Sequence, residues 1–374
     1  MQKSTFRATH FAPSLANVTV VVGGDMRLRE GNIPGMVQAG TLAGMPEFLA
    51  PELGRTKLKG VFEAAHLPMG IEVNPEHYIH WDQLMGFLDA GGRALGVESL
   101  GLELSPHLTV EAWGTWGRYV TSAPTLSQAM HRMQSAILLH GRNERMTIGR
   151  EGEFVVCRVH NSVAGAKLYQ NVSYCTAGLL QNCVALYLGK DWRGGAIDLD
   201  VPSLRATSRI EQHLKSTVRL GQSGTACRVP VELWNAPRRS PQPDKHRSLF
   251  CDILRNRHTG PPRTLPDAIE ETIRVQLLDE VVSLDRVARS LNMSRRHVQR
   301  VLSNEGQSFR DIARRTKVTR GKELLRETDA SITDISVALG YASVAHFGRA
   351  FAAVTDQTPS AYREVANRTL SLTS

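Results

Sequence analysis

Residues 283–309, SLDRVARSLNMSRRHVQRVLSNEGQSF, and residues 331–351, SITDISVALGYASVAHFGRAF, are one pattern written twice. Leu284, Val287, Ala288, Leu291, Asn292 and Met293 match Ile332, Ile335, Ser336, Leu339, Gly340 and Tyr341, always 48 positions later. Each copy sets residues at one helical period, then a residue able to take positive φ, Asn292 or Gly340, then a second helix. The spacing predicts two helix-turn-helix units in tandem, the arrangement of a DNA-reading protein.

Charge supports that reading and locates it. The chain of 374 residues carries a net charge of +9, which favours a polyanionic partner. Residues 294–326 hold ten Lys/Arg (Arg295, Arg296, Arg300, Arg310, Arg314, Arg315, Lys317, Arg320, Lys322, Arg326) against three acids. Residues 264–293 have three Arg against six acids, and residues 327–374 have three Arg against five. Positive charge is therefore focused on the first recognition helix and the stretch between the two units. In that helix Ser294 caps, Val298 and Leu302 face inward at i,i+4, and Arg295, Arg296, Gln299 and Arg300 project outward. Arg can bind guanine O6/N7 and Gln adenine N6/N7 in bidentate fashion, so this face suits a major groove; the alternative is a solvated basic helix face.

Length and composition predict a folded protein of two or three domains. From Asn235 to Pro266 the prolines Pro237, Pro241, Pro243, Pro261, Pro262 and Pro266 limit regular structure, with a short helix at Leu249–Arg255. The domains expected are residues 1–235, a Pro-rich linker at 236–262, and residues 263–374. The last reads as all helix: Pro266 sits in the first turn of one, Ser283 and Ser331 are N-caps, and Phe309–Leu325 forms a connecting helix. The first reads as α+β. Asn74-Pro75 opens a helical pattern through His80, Trp81, Leu84, Phe87 and Leu88, and Thr125–Leu139 is a second helix. Val18–Val22, Met146–Gly149, Glu153–Val159 and Ala196–Val201 read as strands, with a hairpin turn at Arg150–Gly152.

Other chemistry finds little support. The five cysteines form no CxxC pair, which fits a reducing, cytoplasmic setting, and no signal peptide is visible. Leu168–Gly189 is uncharged, but Gln170, Asn171, Ser173, Thr176, Gln181 and Asn182 favour a buried helix over a membrane span. His77, His80 and Asp82 lack further ligands at metal spacing, and no Walker A, GxGxxG or GxSxG motif is present. No cofactor, metal or catalytic residue is expected, and no membrane partner.

MSRRHVQRVLSNEGQSF, the KELL end of the connecting helix, and SITDISVALGYASVAHFGRAF followed by TPSAYRE together resemble the AraC/XylS family of bacterial transcription regulators. GLELSPHLTVEAWGTWGRYVTSAPTLSQAMHRM at 101–133 resembles the arabinose-binding type of N-terminal domain found in one branch of it. The resemblance implies a cytoplasmic, sequence-specific regulator, an activator by family habit, with promoter DNA, RNA polymerase, a small-molecule effector and a second copy in a homodimer as partners. It marks Arg296, Gln299 and Arg300 as base-facing in the first unit and Val344, Ala345, His346 and Arg349 in the second. Ser294, Ser343, Arg310, Arg314, Arg315 and Lys317 are phosphate-facing or simply solvated. Trp113, Trp116 and Tyr119 lie close together and could line an effector pocket; ordinary packing is the competing reading. An N-terminal domain serving only dimerisation or protein interaction is the alternative function. A DNA-repair methyltransferase shares this type of helix-turn-helix domain, but its acceptor cysteine sits in a dense cysteine cluster, whereas Cys157, Cys175 and Cys183 are dispersed. Two departures from the family stand out: Gly321 where Ala is usual in the connecting helix, allowing hinge motion there, and Asp356 in place of a turn glycine.

Overall fold

The structure is a computed structural model that describes residues 34–142, 144–192, 195–202, 207–239, 250–256, 260–279 and 281–371. The expected strand at Val18–Val22 lies outside the described residues, as does part of the expected linker.

The N-terminal half opens with β1 (Met36–Gln38) and α1 (Met45–Ala64), the latter broken at Gly54. A short strand, β2 (Tyr78–His80), comes next and leads straight into α2 (Trp81–Leu95). The helical pattern read from Asn74-Pro75 therefore begins later than expected. The reason is tertiary: β1 recruits 78–80 into an antiparallel ladder (Met36↔His80, Val37↔Ile79, Gln38↔Tyr78), and that pairing takes the backbone groups a helix would have used. His80 then becomes the N-cap of α2, its Nδ1 accepting from the Asp82 N–H at 3.2 Å while its own N–H donates to Gln83 at 3.1 Å.

Three more helices, α3 (Leu100–Leu104), α4 (Gly114–Thr121) and α5 (Leu126–His140), lead to a hairpin of β3 (Arg145–Glu151) and β4 (Phe154–His160). Thr125 caps α5 through the Gln128 N–H at 3.4 Å. Next come α6 (Gln170–Leu188), β5 (Ile197–Asp198), α7 (Thr207–Leu214), β6 (Val218–Arg219) and β7 (Thr225–Pro230). Strands β3 to β7 form one sheet ordered β3-β4-β7-β5-β6, with only the β5–β6 pair parallel, and β1 and β2 form a separate two-stranded sheet. The uncharged α6 is a buried core helix whose polar residues are satisfied: Asn182 donates to the Ser105 and Leu108 carbonyls at 3.0 and 2.7 Å. No described helix is long and apolar enough to cross a membrane.

After α8 (Phe250–Asn256) the C-terminal half is helical. It comprises α9 (Leu265–Gln276), α10 (Leu284–Ser290), α11 (Arg295–Asn304), α12 (Phe309–Glu327), α13 (Ile332–Ala338), α14 (Val344–Thr355) and α15 (Pro359–Ser371). Ser283, Ser294, Ser308, Ser331 and Ser343 each cap a helix by accepting a backbone N–H, a contribution of about 1 kcal/mol apiece. Gly321 lies in the middle of α12, where an added Cβ would meet Leu339 and Phe347 at 3.2 Å. The residue expected to permit a hinge stands where α12 is closely packed against the second helix pair. Asp356 takes φ 56 at the end of α14, so it adopts the left-handed conformation that a turn glycine would supply.

Two apolar clusters form the core, one through the N-terminal half and one through α9–α14. They exchange side chains: Met36 and Tyr78 belong to the C-terminal cluster, beside Leu265, Ala268 and Ile269 of α9, while Val275 of α9 belongs to the N-terminal one. Helix α9 is thus packed from both sides.

Candidate nucleic-acid interface

Two helix pairs, α10–α11 and α13–α14, present the residues singled out by the repeat. Their turns are equivalent, with Asn292 at φ 50 and Gly340 at φ 65. On α11, Val298 and Leu302 are buried, which leaves Arg296, Gln299 and Arg300 exposed on one face at i, i+3 and i+4. Among the described residues neither Arg296 nor Gln299 has a polar side-chain partner. Arg300 lies 3.1 Å from Nδ1 of His297, and Arg295 pairs with Asp285 of α10 at 3.1 Å. Arg295 therefore ties the two helices of the first pair together as well as standing near its exposed face.

On α14 Phe347 and Phe351 are buried, and Val344, Ala345, His346 and Arg349 are exposed. His346 stands edge-on to Tyr341, with ring centroids 5.6 Å apart. The face is mainly apolar with one firm cation, in contrast to α11. The phosphate candidates also separate. Ser294 and Ser343 are N-caps, their hydroxyl oxygens accepting from the His297 and His346 N–H groups at 3.2 and 3.1 Å. Arg314 pairs with Asp311 at 2.7 Å, Arg315 donates to Gln307 at 3.0 Å, and all of these with Arg310 remain exposed. Lys317 is half-buried: its Nζ donates to the Gly340 carbonyl at 3.3 Å and lies 5.1 Å from the centre of the Tyr341 ring. Burial pulls its ammonium below the ordinary lysine value.

The first pair is also held by the N-terminal half, through residues that the sequence offers only as a weak metal set. Glu271 of α9 accepts from the Tyr78 N–H at 2.9 Å and lies 2.9 Å from His77 Nδ1. Burial would raise its pKa, but His77, Arg274 and the Tyr78 N–H outweigh burial and hold the carboxyl at about 2. Asp82, in the first turn of α2, accepts a hydrogen bond from the Asn292 side-chain amide at 2.8 Å. Arg142 donates to the Pro262 carbonyl at 2.8 Å. Beside these contacts a cleft of about 150 Å³ opens between Glu63, His66 and Leu67 on one side and Asp279, Arg286, Arg289 and Ser290 on the other. His77, His80 and Asp82 thus serve as an anchor, a cap and a tether. The available signal is Asn at a turn position where the other copy has Gly.

Of the aromatic trio, Trp113 and Trp116 stay together with ring centroids 5.6 Å apart, and Tyr119 packs elsewhere, beside Phe250. Trp116 is completely buried with its indole N–H donating to the Ala136 carbonyl at 2.8 Å, and Trp113 stacks on His140 with centroids 4.4 Å apart. Tyr119 is partly buried beneath Arg132, 5.0 Å from its ring centre. The described cysteines are all free, and burial pushes the Cys175 and Cys183 thiols up to about 12, far from the thiolate state of a nucleophile.

A family model for the arabinose-binding domain of AraC transcription regulators matches residues 57–238, and one for a helix-turn-helix domain matches residues 287–364, from within α10 to beyond α14. The transcriptional activator NphR of Rhodococcus sp is 28% identical over 96 residues, 26% of this chain and 29% of that protein. The regulator GlxA of Rhizobium meliloti is 36% identical over 83 residues, 21% of this chain and 26% of that protein. The "Probable transcription factor PqrA" of Proteus vulgaris is 30% identical over 87 residues, 23% of this chain and 71% of that protein. The matched stretch thus spans less than a third of NphR and GlxA and most of PqrA. With a regulator domain matched in each half, the chain belongs to the AraC family of transcription regulators.

Proposed function

We propose that this protein is a sequence-specific DNA-binding transcription regulator that reads an asymmetric site with two unequal helix-turn-helix units. The observation that carries the proposal is the face of α11, where Arg296, Gln299 and Arg300 stand exposed over a buried Val298 and Leu302. Arg and Gln in this register match the major-groove edges of guanine and adenine. Helix α14 would read thymine methyls through Val344 and Ala345, with His346 and Arg349 beside them. Arg295 completes the base-facing set; Ser294, Arg310, Arg314, Arg315, Lys317 and Ser343 are assigned to phosphates. Lys317 does so from its place over the second turn. Two recognition helices on one connector enter successive major grooves about 34 Å apart, which gives a site of roughly 15–20 base pairs.

The domain division goes with this reading: residues 1–235 bind a small-molecule effector and pair with a second copy, 236–262 link, and 263–374 read DNA and contact RNA polymerase. The candidate effector residues, Trp113, Trp116 and Tyr119, enter the proposal only as a wall of packed aromatics. Thermal shift of the full chain against a metabolite panel tests the effector: stabilisation by one compound class supports it, and silence across a broad panel leaves an N-terminal half that serves dimerisation or protein interaction.

DNA reading is tested by selecting duplexes from a random-sequence pool. Arg296→Ala or Arg300→Ala is expected to cost about 1–3 kcal/mol and relax base preference at its position, while Ala345→Gly costs less. Affinity should also fall steeply with salt. A footprint in which the half-site of α14 dominates, or a binding constant indifferent to salt, would overturn the assignment.

A further inference from the structure

One short segment, His77–Asp82, touches the support of the first helix pair at two places. Its beginning holds the buried Glu271 of α9, through His77 and the Tyr78 N–H. Its end holds the turn of α10–α11, through the Asp82 carboxylate on the Asn292 amide at 2.8 Å. The turn residue of the second helix pair is Gly340, which has no side chain to be held in this way. There Lys317 Nζ occupies the turn by donating to the Gly340 carbonyl. One turn therefore faces an anion from the N-terminal half, and the other a cation from within the C-terminal half.

That difference in sign matters at the place where it occurs. Asn292 lies two residues before Ser294, the N-cap of α11, and the N-terminal end of a helix is where backbone N–H groups and the helix dipole favour a phosphate. A carboxylate fixed beside that end works against the approach of a DNA backbone, and Asp285 already pairs with Arg295 there. The hydrogen bond also ties the turn, and with it the direction of α11, to helix α2.

We propose that Asp82 is a positioning residue for DNA reading: by gripping Asn292 it locks the first recognition helix to the N-terminal half in a restrained state, and release of this grip raises DNA affinity. The proposal rests on the DNA-reading function above and deepens it by naming the contact through which the N-terminal half governs that function. A signal that moves the start of α2 moves the tether directly.

The test uses the full chain and a duplex enriched from a random pool by the wild-type protein, with affinity measured by fluorescence anisotropy at fixed salt. Asn292→Gly removes the amide but keeps a residue at ease with positive φ, so the turn conformation survives. Asp82→Ala removes the other partner. Each substitution should tighten binding, Asn292→Gly by about fivefold, the scale of a modest coupling between sites, and Asp82→Ala by at least as much because it also removes the charge, and the double variant should tighten it no further than Asp82→Ala alone. A substitution that merely damages the fold lowers affinity, so the direction of change and the non-additivity separate positioning from structure. Thermal unfolding of Asn292→Gly checks that the chain remains folded. Unchanged or weakened binding, or additive effects in the double variant, overturns the proposal. A wild-type chain that enriches no duplex overturns the DNA-reading function itself, a distinct result.

Discussion

At the turn of α10–α11 stands Asn292, and at the turn of α13–α14 stands Gly340; both have positive φ, and both precede a serine that caps the next helix. Local physics is the same in the two pairs. What differs is the neighbourhood each pair leans on. The first is tied to the N-terminal half through Asp82, and it shares α9, whose Glu271 is gripped by His77 and Tyr78. The second rests on α12, with Gly321 giving the close approach to Leu339 and Phe347 and Lys317 covering the turn. A repeat duplicated in sequence has acquired one copy open to instruction from the N-terminal half and one built on its own scaffold.

Removing the anchor is the strongest way to break this contrast. Glu271→Ala takes away a buried carboxylate that both the Tyr78 N–H and the His77 ring hold. Breaking a buried pair from one side costs about 3–5 kcal/mol. Glu98→Ala, at a side chain 83% exposed, removes a partner of Arg209 at 3.3 Å and should cost at most about 1 kcal/mol. Chemical denaturation of the full chain measures both. Equal costs would mean that the junction around α9 is ordinary surface.

Acid provides a graded version of the same experiment. The Glu271 carboxyl is depressed from an ordinary 4.5 to about 2 in the folded chain. Because the folded value is the lower one, its stabilisation is complete above the unfolded value and is lost as pH falls through the window from 4.5 to about 2. A depression of this size corresponds to at most about 3 kcal/mol. Other carboxylates titrate in the same range, so the informative quantity is the stability difference between the wild type and Glu271→Gln. It should shrink as pH is lowered across that window. A difference that stays constant would show that the charge on Glu271 does not matter to the junction.

The helices that make these comparisons possible are legible in the sequence, and the contacts that distinguish them are not. Caps, turn residues and apolar periodicity are local, and they locate α10–α14 and α5 closely. Local periodicity places β2 inside a helix, because three residues are too few to establish a period of two and the partner that recruits them lies at 36–38. β7 gives no alternating signal for a different reason. It pairs with β4 on one side and β5 on the other, and five of its six residues are buried, so polar and apolar positions do not take turns. The tether and the anchor join residues 210 and 194 positions apart, a separation at which spacing carries no information. The residue types alone hint at them: His77, His80 and Asp82 are polar positions set among Tyr78, Ile79 and Trp81 where an apolar helix begins, and Asn292 stands where its counterpart is Gly.

Gly340→Asn is the smallest change that sharpens the contrast, since it gives the second turn the residue of the first. Asn tolerates the left-handed conformation better than most residues but less well than Gly, so a φ of 65 should cost a few tenths of a kcal/mol and less than about 1. The new amide would project from an exposed position, and Lys317 would keep the carbonyl it already uses, because backbone geometry is unchanged. The turn then carries a side chain for which Asp82 is not the partner. DNA affinity should stay within about twofold of the wild type, in contrast to the tightening expected from Asn292→Gly, because turn chemistry alone does not govern affinity at this scale. If Gly340→Asn instead altered affinity as much as Asn292→Gly, the effect would belong to the turn residue itself, and the asymmetry of the two units would not arise from what the N-terminal half holds.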